Sequence, residues 1–425
     1  MPRATARARI ASVLLKRRGF LRDYLSAVSG SAGRLVFSLA YFVALANALS
    51  IADFGRFATA SAAGVVLSRI LAFGFITALY RTATVRPQLI GTFTAGFLAM
   101  AALSLPALAL AALATHALFF ATEIPLAVFA AIIFAEAVLW RPFEAVAIVN
   151  NGMGKFGRAA VLVIVGTALR SAAAAVFAFW PQQSLAHWAW FYVGANAAAL
   201  VIAYAFFYPR RRLRFRARLY WRRLADSLYV AGAEMLFYLQ MEFDKLLVLA
   251  LGGPHLAGIY AIIMRLVDLT AIPIRAFSMM LVQKMMRAPQ LMAGILRKAL
   301  LEGGVFAVST VALLTLAAVL AVFPNALGGN VAEAAPLIAL VAFVPGLRNL
   351  VEVQAELLFA RGQTLVRALN LALLAALKAA LLTLALGRFP DVGDLVWSLN
   401  AVFAALWAVS ALLTYSALWR PAKAM

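Results

Sequence analysis

The chain has no cysteine and only three histidines among 425 residues. Disulfides, thiolate metal sites and cysteine nucleophiles are therefore excluded. His116, His187 and His255 lie far apart in sequence, with no metal-ligand spacing, so neither a metal nor a cofactor is expected. No Gly-Lys-Ser/Thr phosphate loop occurs, and energy, if used, comes from an H+ or Na+ gradient or from the substrate's own gradient. Acidic residues are scarce as well: 16 against 38 Lys and Arg, a net charge of +22. So basic a chain first suggests nucleic acid. Yet only 13% of residues are charged and 65% are hydrophobic. Basic residues in such a chain orient it in a membrane and meet anionic lipid headgroups, so membrane lipids rather than nucleic acid are the expected contact.

Apolar runs of about 20 residues recur along nearly the whole chain, the length a helix needs to cross a bilayer. Lipid offers the backbone no hydrogen bonds, and the runs are too long for barrel strands, so the spans are helices. They are expected near 31–50, 56–79, 89–114, 122–149, 157–180, 187–208, 227–251, 255–282, 299–323, 332–359, 364–386 and 394–418. The fold class is an all-α polytopic membrane protein with about 12 transmembrane helices in two six-helix lobes. The divisions are a basic amphipathic N-terminus over 1–30, an N-lobe over 31–208, a basic linker over 209–226, a C-lobe over 227–419 and a tail over 420–425. The N-terminus has no small-residue cleavage site after its basic cluster and is not expected to be a cleaved signal.

Counting bases sets the orientation. The termini and the even-numbered connections hold 27 Lys and Arg, eight of them in the linker, whereas the odd-numbered connections hold only Arg56 and Arg388. That asymmetry places both termini and the linker in the cytoplasm. A weak internal repeat follows the same division. Ala52–Ala58 aligns with His255–Ala261 at an offset of 203, and Lys155–Ala159 with Thr364–Ala368 at 209. Parallel repeats with a site between the halves are a transporter arrangement.

The other nine bases fall inside spans: Arg34, Arg69, Arg141, Arg170, Lys245, Arg265, Arg275, Arg348 and Lys378. Each would cost at least about 2.5 kcal/mol at the bilayer centre, so they face protein or a wet cavity. Some are expected to lock helices together; Arg141 with Glu144 and Arg348 with Glu352 have suitable spacing. Taken as a set, a basic cavity implies an anionic substrate. Adjacent Lys245 cannot share a direction with Asp244, so a base on another helix, Arg69 or Arg265, is expected to pair with Asp244.

Leu49-Ser50-Ile51-Ala52-Asp53-Phe54-Gly55-Arg56-Phe57 resembles the first outer turn of polysaccharide-biosynthesis (Wzx-like) flippases. So does Phe243-Asp244-Lys245-Leu246-Leu247-Val248-Leu249 followed by Gly258-Ile259-Tyr260-Ala261. These belong to the multidrug/oligosaccharidyl-lipid/polysaccharide (MOP) exporter superfamily, and the resemblance extends to length, six-plus-six layout and basic linker. The usual proline of the first outer turn is absent, though Pro254 is kept in the second half. The resemblance implies a MATE/MOP-like fold in the bacterial inner membrane. It implies no enzyme but a flippase moving a polyprenyl-pyrophosphate-linked oligosaccharide by alternating access, with polysaccharide polymerase and glycosyltransferases as associated proteins. Arg69, Arg141, Arg170, Arg265 and Arg348 are the expected headgroup contacts, since a guanidinium fork suits pyrophosphate. Asp244 and Glu242 are the expected ion-coupling residues. The alternatives are a multidrug efflux antiporter of the same fold, which would need a more acidic or apolar cavity, and a membrane sugar polymerase or ligase, which would need catalytic groups on a sizeable outer loop.

Overall fold

The computed structural model describes residues 33–287 and 295–418. The expected amphipathic N-terminus, the tail over 420–425 and the side chain of Arg275 lie outside the described residues. Those that are described form helices and connections, without a strand. In chain order they are α1 (Gly33–Ala48), α2 (Ile51–Leu67), α3 (Phe75–Val85), α4 (Ile90–Phe119), α5 (Leu126–Ile133), α6 (Arg141–Gly152), α7 (Phe156–Ala178) and α8 (Leu185–Ile202). There follow α9 (Ala217–Arg287), α10 (Ile295–Val322), α11 (Gly329–Ile338), α12 (Val344–Ala360), α13 (Thr364–Arg388) and α14 (Val392–Leu418).

Eight of these helices or continuous helical runs are long and apolar enough to cross a bilayer, and two bent pairs bring the number to ten. The surface is that of a membrane protein. Leu103, Leu105, Leu110, Leu113 and Leu118 stand exposed along α4, a display that water would not tolerate on a monomer. The chain is an all-helical multi-pass membrane protein.

Local chemistry explains the breaks. Ser50 caps α2 by accepting a hydrogen bond from the Asp53 amide at 3.1 Å, which satisfies one of the orphan donors at a helix start. Between α2 and α3, Ala72, Phe73 and Gly74 all have positive φ. The Ala72 amide freed there donates to Ser104 Oγ at 2.9 Å, and the pair bends by 51°. The expected single span at 56–79 is therefore a broken one running from Ile51 to Val85. A π-helical stretch, Phe134–Trp140, joins α5 to α6. It runs directly into Arg141-Pro142, where the proline has no N–H to give its preceding turn.

Helix α9 is continuous in assignment but not in space. Gly253 has φ 78° and ψ 172°, and Tyr260 Oη donates to Asp244 Oδ2 at 2.6 Å. Sixteen residues along a straight helix would put those groups about 24 Å apart, so α9 is a hairpin folded at Gly253. Its arms, 217–252 and 254–287, match the expected seventh and eighth spans, except that helix already begins at Ala217. Only 209–216 of the expected linker is non-helical.

The repeat has a structural counterpart at the end of the bundle where α1 meets α2. A Cβ on Gly55 would strike the backbone of Gly258 and the Pro254 carbonyl, and one on Gly258 would strike the Ile51 carbonyl. Ile51 and Pro254, like Gly55 and Gly258, are separated by 203 residues. The first turns of α2 and of the second α9 arm thus cross backbone to backbone as equivalent elements. Beside this crossing, Asn330 Nδ2 donates to the carbonyls of Ala46 and Leu49 at 2.6 and 2.7 Å. Asn47 Nδ2 donates to the Leu327 carbonyl at 2.8 Å. Two glycines and two asparagines hold the halves together at that end.

Candidate functional site

The intramembrane charges gather in two groups, one centred on each half, rather than in one shared basic space. In the first, Arg141 binds Glu144 at 3.0 Å and Glu234 at 2.7 Å. Arg69 lies 3.6 and 3.8 Å from the same two carboxylates, with its guanidinium 3.9 Å from the centre of the Tyr238 ring. Two bases and two acids from three segments close a ring, and Glu234 ties the first α9 arm to α6 and to the turn after α2. Elsewhere in the same half, Arg170 donates twice to Asn196 Oδ1, at 3.0 and 2.7 Å. It lies 3.5 Å from Glu136 and stacks 3.6 Å from the Trp140 ring centre. Glu136 also accepts from Ser61 at 2.6 Å and from the Tyr192 hydroxyl.

In the second group, Lys378 Nζ sits 3.4 Å from Asp244 Oδ2, with side-chain exposures of 4% and 1%. Lys245 pairs with Glu242, and Arg348 reaches Asp268 at 3.1 Å. One expectation is corrected here. The partner of Asp244 is neither Arg69 nor Arg265 but Lys378, because the Gly253 hairpin turns the Asp244 face toward α13, while Arg69 is held in the first half by Glu144 and Glu234. Arg348 reaches across to an acid on α9, Asp268, in addition to any contact along its own helix. The pairing of Arg141 with Glu144 is present, as is the divergence of Lys245 from Asp244.

Burial separates the headgroup candidates. Arg69, Arg141 and Arg348 have side chains only 6%, 5% and 8% exposed, whereas Glu144 and Glu234 are 31% and 33% exposed. The first ring therefore shows carboxylates outward with guanidiniums behind them. Arg170 is enclosed by Trp140, Asn196 and Glu136. Arg265 differs. It is half-buried on the second α9 arm and hydrogen-bonds Ser38 Oγ on α1, bridging the halves. Among the described residues no carboxylate lies within ion-pair distance of it. Of the coupling candidates, Asp244 is locked by Lys378 and Tyr260, with its Oδ1 buried and without a hydrogen bond, and Glu242 is held by Lys245.

Lys378 stood among the nine bases of the sequence but was given no partner there, and the repeat contained the signal. Arg141, Glu144 and Arg170 stand 207, 208 and 208 residues before Arg348, Glu352 and Lys378. Arg170 on α7 and Lys378 on α13 thus occupy equivalent places, each neutralising a buried acid of its own group.

No protein-family model and no curated protein matches the chain. Solved structures do. A MATE transporter in complex with MaL6 aligns with a TM-score of 0.62 at 11% identity, over 94% of this chain and 95% of that one. A point mutant of the Vibrio cholerae MATE transporter VcmN aligns at 0.58 and 16%, over 94% and 96%. The MATE multidrug transporter DinF-BH aligns at 0.59 and 16%, over 93% and 95%. The two charged groups, the hairpin at Gly253 and the crossed glycines are thus built on the fold of the MATE transporters, members of the MOP superfamily.

Proposed function

We propose that the protein is a flippase that carries a lipid-linked oligosaccharide with an anionic, pyrophosphate-bearing headgroup across the bacterial inner membrane. In this reading twelve spans form two six-helix lobes, and the linker and both termini lie in the cytoplasm. The glycine–asparagine seam lies on the outer side, and the lobes rock about it. Arg265 carries the proposal. It is a partly accessible guanidinium at the boundary between the halves, about 18 Å along its arm from Gly253, held by a hydroxyl and facing no carboxylate among the described residues. A charge so placed in a membrane calls for a counter-ion, and a phosphate oxygen supplies one with matching geometry. The other arginines contribute indirectly, as ion pairs that fix the walls. No group acts as a catalyst. An ion gradient would act through Asp244 or Glu242 once their lysines release them.

One observation favours the second reading, a multidrug antiporter. Glu144 and Glu234 present their carboxylates in front of Arg69 and Arg141, a surface suited to a cationic drug. The two readings separate in binding experiments on purified protein. Losing a charge-assisted hydrogen bond costs about 1.5–3 kcal/mol. Arg265→Gln should therefore weaken binding of a polyprenyl pyrophosphate by roughly 10- to 150-fold, with Arg265→Lys intermediate. Unchanged binding in Arg265→Gln, together with loss of lipophilic-cation binding in Glu144→Gln and Glu234→Gln, would replace the flippase with the antiporter.

A further inference from the structure

The connection between the halves is built as a fixed surface rather than a loose tether. From Arg210 to Arg223 it carries eight arginines and no acid. Its backbone is pinned to the first half. The Arg212 carbonyl packs so closely on Gly91 that a Cβ there would collide with it. The buried Tyr220 hydroxyl accepts from the Arg216 amide at 3.0 Å and lies 2.8 Å from the Thr92 carbonyl, to which it donates. Tyr208 Oη donates to Thr94 Oγ1 at 2.6 Å. With the backbone held, the arginine side chains are all exposed. Arg223 is 3.6 Å from Asp226; among the described residues no carboxylate pairs with the other seven. Arg216, Arg218 and Arg222 line a concavity of about 380 Å³ with Ala217 and Leu219.

Large apolar side chains alternate with these charges. Leu213, Phe215 and Trp221 are exposed by 55%, 68% and 60%, an expensive display toward open water. The flanking helices fix where the segment lies. Helix α8 ends just before it, and the first α9 arm, 36 residues and so about 54 Å long, exceeds a hydrocarbon core of about 30 Å. Its first turns must therefore stand among the headgroups, whichever way the protein is oriented. Aromatic side chains at that depth with arginines beside them match an interface rich in acidic lipid.

We propose that the Arg216–Arg222 concavity is a binding site for an anionic phospholipid headgroup, with Phe215 and Trp221 seated against the acyl boundary. The site is independent of the transported substrate. Brominated lipids in nanodiscs test it on the full chain, with the Trp221 signal obtained as the difference between wild type and Trp221→Phe. Brominated phosphatidylglycerol should quench Trp221 several-fold more than brominated phosphatidylcholine at equal mole fraction. High salt, or the triple substitution Arg216→Gln, Arg218→Gln and Arg222→Gln, should remove that preference, and the corresponding triple Lys variant should keep most of it. Equal quenching by the two lipids in wild type overturns the proposal, as does a preference that survives the Gln substitutions. If the Gln variant does not fold, the salt titration and the Lys variant decide alone.

Discussion

If the crossing of α2 with the second α9 arm closes one end of the transport path, adding a methyl group there should open it. In the present structure a Cβ on Gly55 would lie 2.9 Å from Gly258 Cα, and one on Gly258 would lie 2.6 Å from Ile51 Cγ2. Carbon pairs prefer about 3.5–4.0 Å, and the colliding atoms include backbone on both sides, so no rotamer change relieves the contact. The helices must part by about an ångström. Overpacking of this kind costs about 1–3 kcal/mol. If the contact exists only in the closed state, the whole cost falls on that state and shifts the closed-to-open ratio by roughly 5- to 150-fold. Because the chain has no cysteine, spin labels can be placed cleanly at Thr122→Cys and Arg388→Cys, near the seam end of each half. Pulsed dipolar spectroscopy should show Gly55→Ala and Gly258→Ala moving population from the short to the long distance. The double variant should behave much like either single one, since both separate the same pair of helices. An unchanged distance distribution in both single variants, with the protein folded, would refute the reasoning, because the glycines would then be packed alike in every state.

Two further outcomes follow from the ion pairs and the charge distribution. Asp244→Asn leaves Lys378 charged and 4% exposed, so detergent thermal unfolding should reveal a loss of several kcal/mol, about 3–5 when one partner of a buried pair is removed. Adding Lys378→Met should recover most of it, and a double variant no more stable than Asp244→Asn would show that Lys378 is not the partner that matters. For topology, an impermeant thiol reagent outside intact cells should label Asp391→Cys and spare Arg214→Cys; the reverse pattern would invert the proposed orientation.

The fold was legible because lipid leaves the backbone few options. Runs of about 20 apolar residues had to be helices, and each expected span has a helical segment in the structure. What stayed hidden were the interruptions. The turn at Ala72-Phe73-Gly74 depends on Ser104, 32 residues away, and no local pattern announces it. The start of α9 at Ala217 was obscured because arginines lower hydropathy without lowering helix propensity. In the site, the partner along the same helix, Glu144 for Arg141, could be read from spacing. Partners on other helices, Lys378 for Asp244 and Glu234 for Arg69, depend on the Gly253 hairpin and on how the helices face one another. The repeat offset would have recovered Lys378, because it places that residue opposite Arg170, but it could not have named the acid that Lys378 meets.

The pairing of charges also changes how a basic lumen should be read. Nine intramembrane bases suggested a field attractive to anions, yet Arg69, Arg141, Arg348 and Lys378 each lie within ion-pair distance of a carboxylate. A guanidinium already bound to two acids has little attraction to spare for a phosphate, and breaking such a pair without replacement leaves a buried charge. In the proposed flippase, substrate charge would therefore be sensed where the pairing is incomplete. Arg265 meets that condition through its hydroxyl partner, and it lies where the halves join. An anion bound there would touch both halves at once, through Ser38 on α1 and through α9, and would favour whichever arrangement brings them together around it.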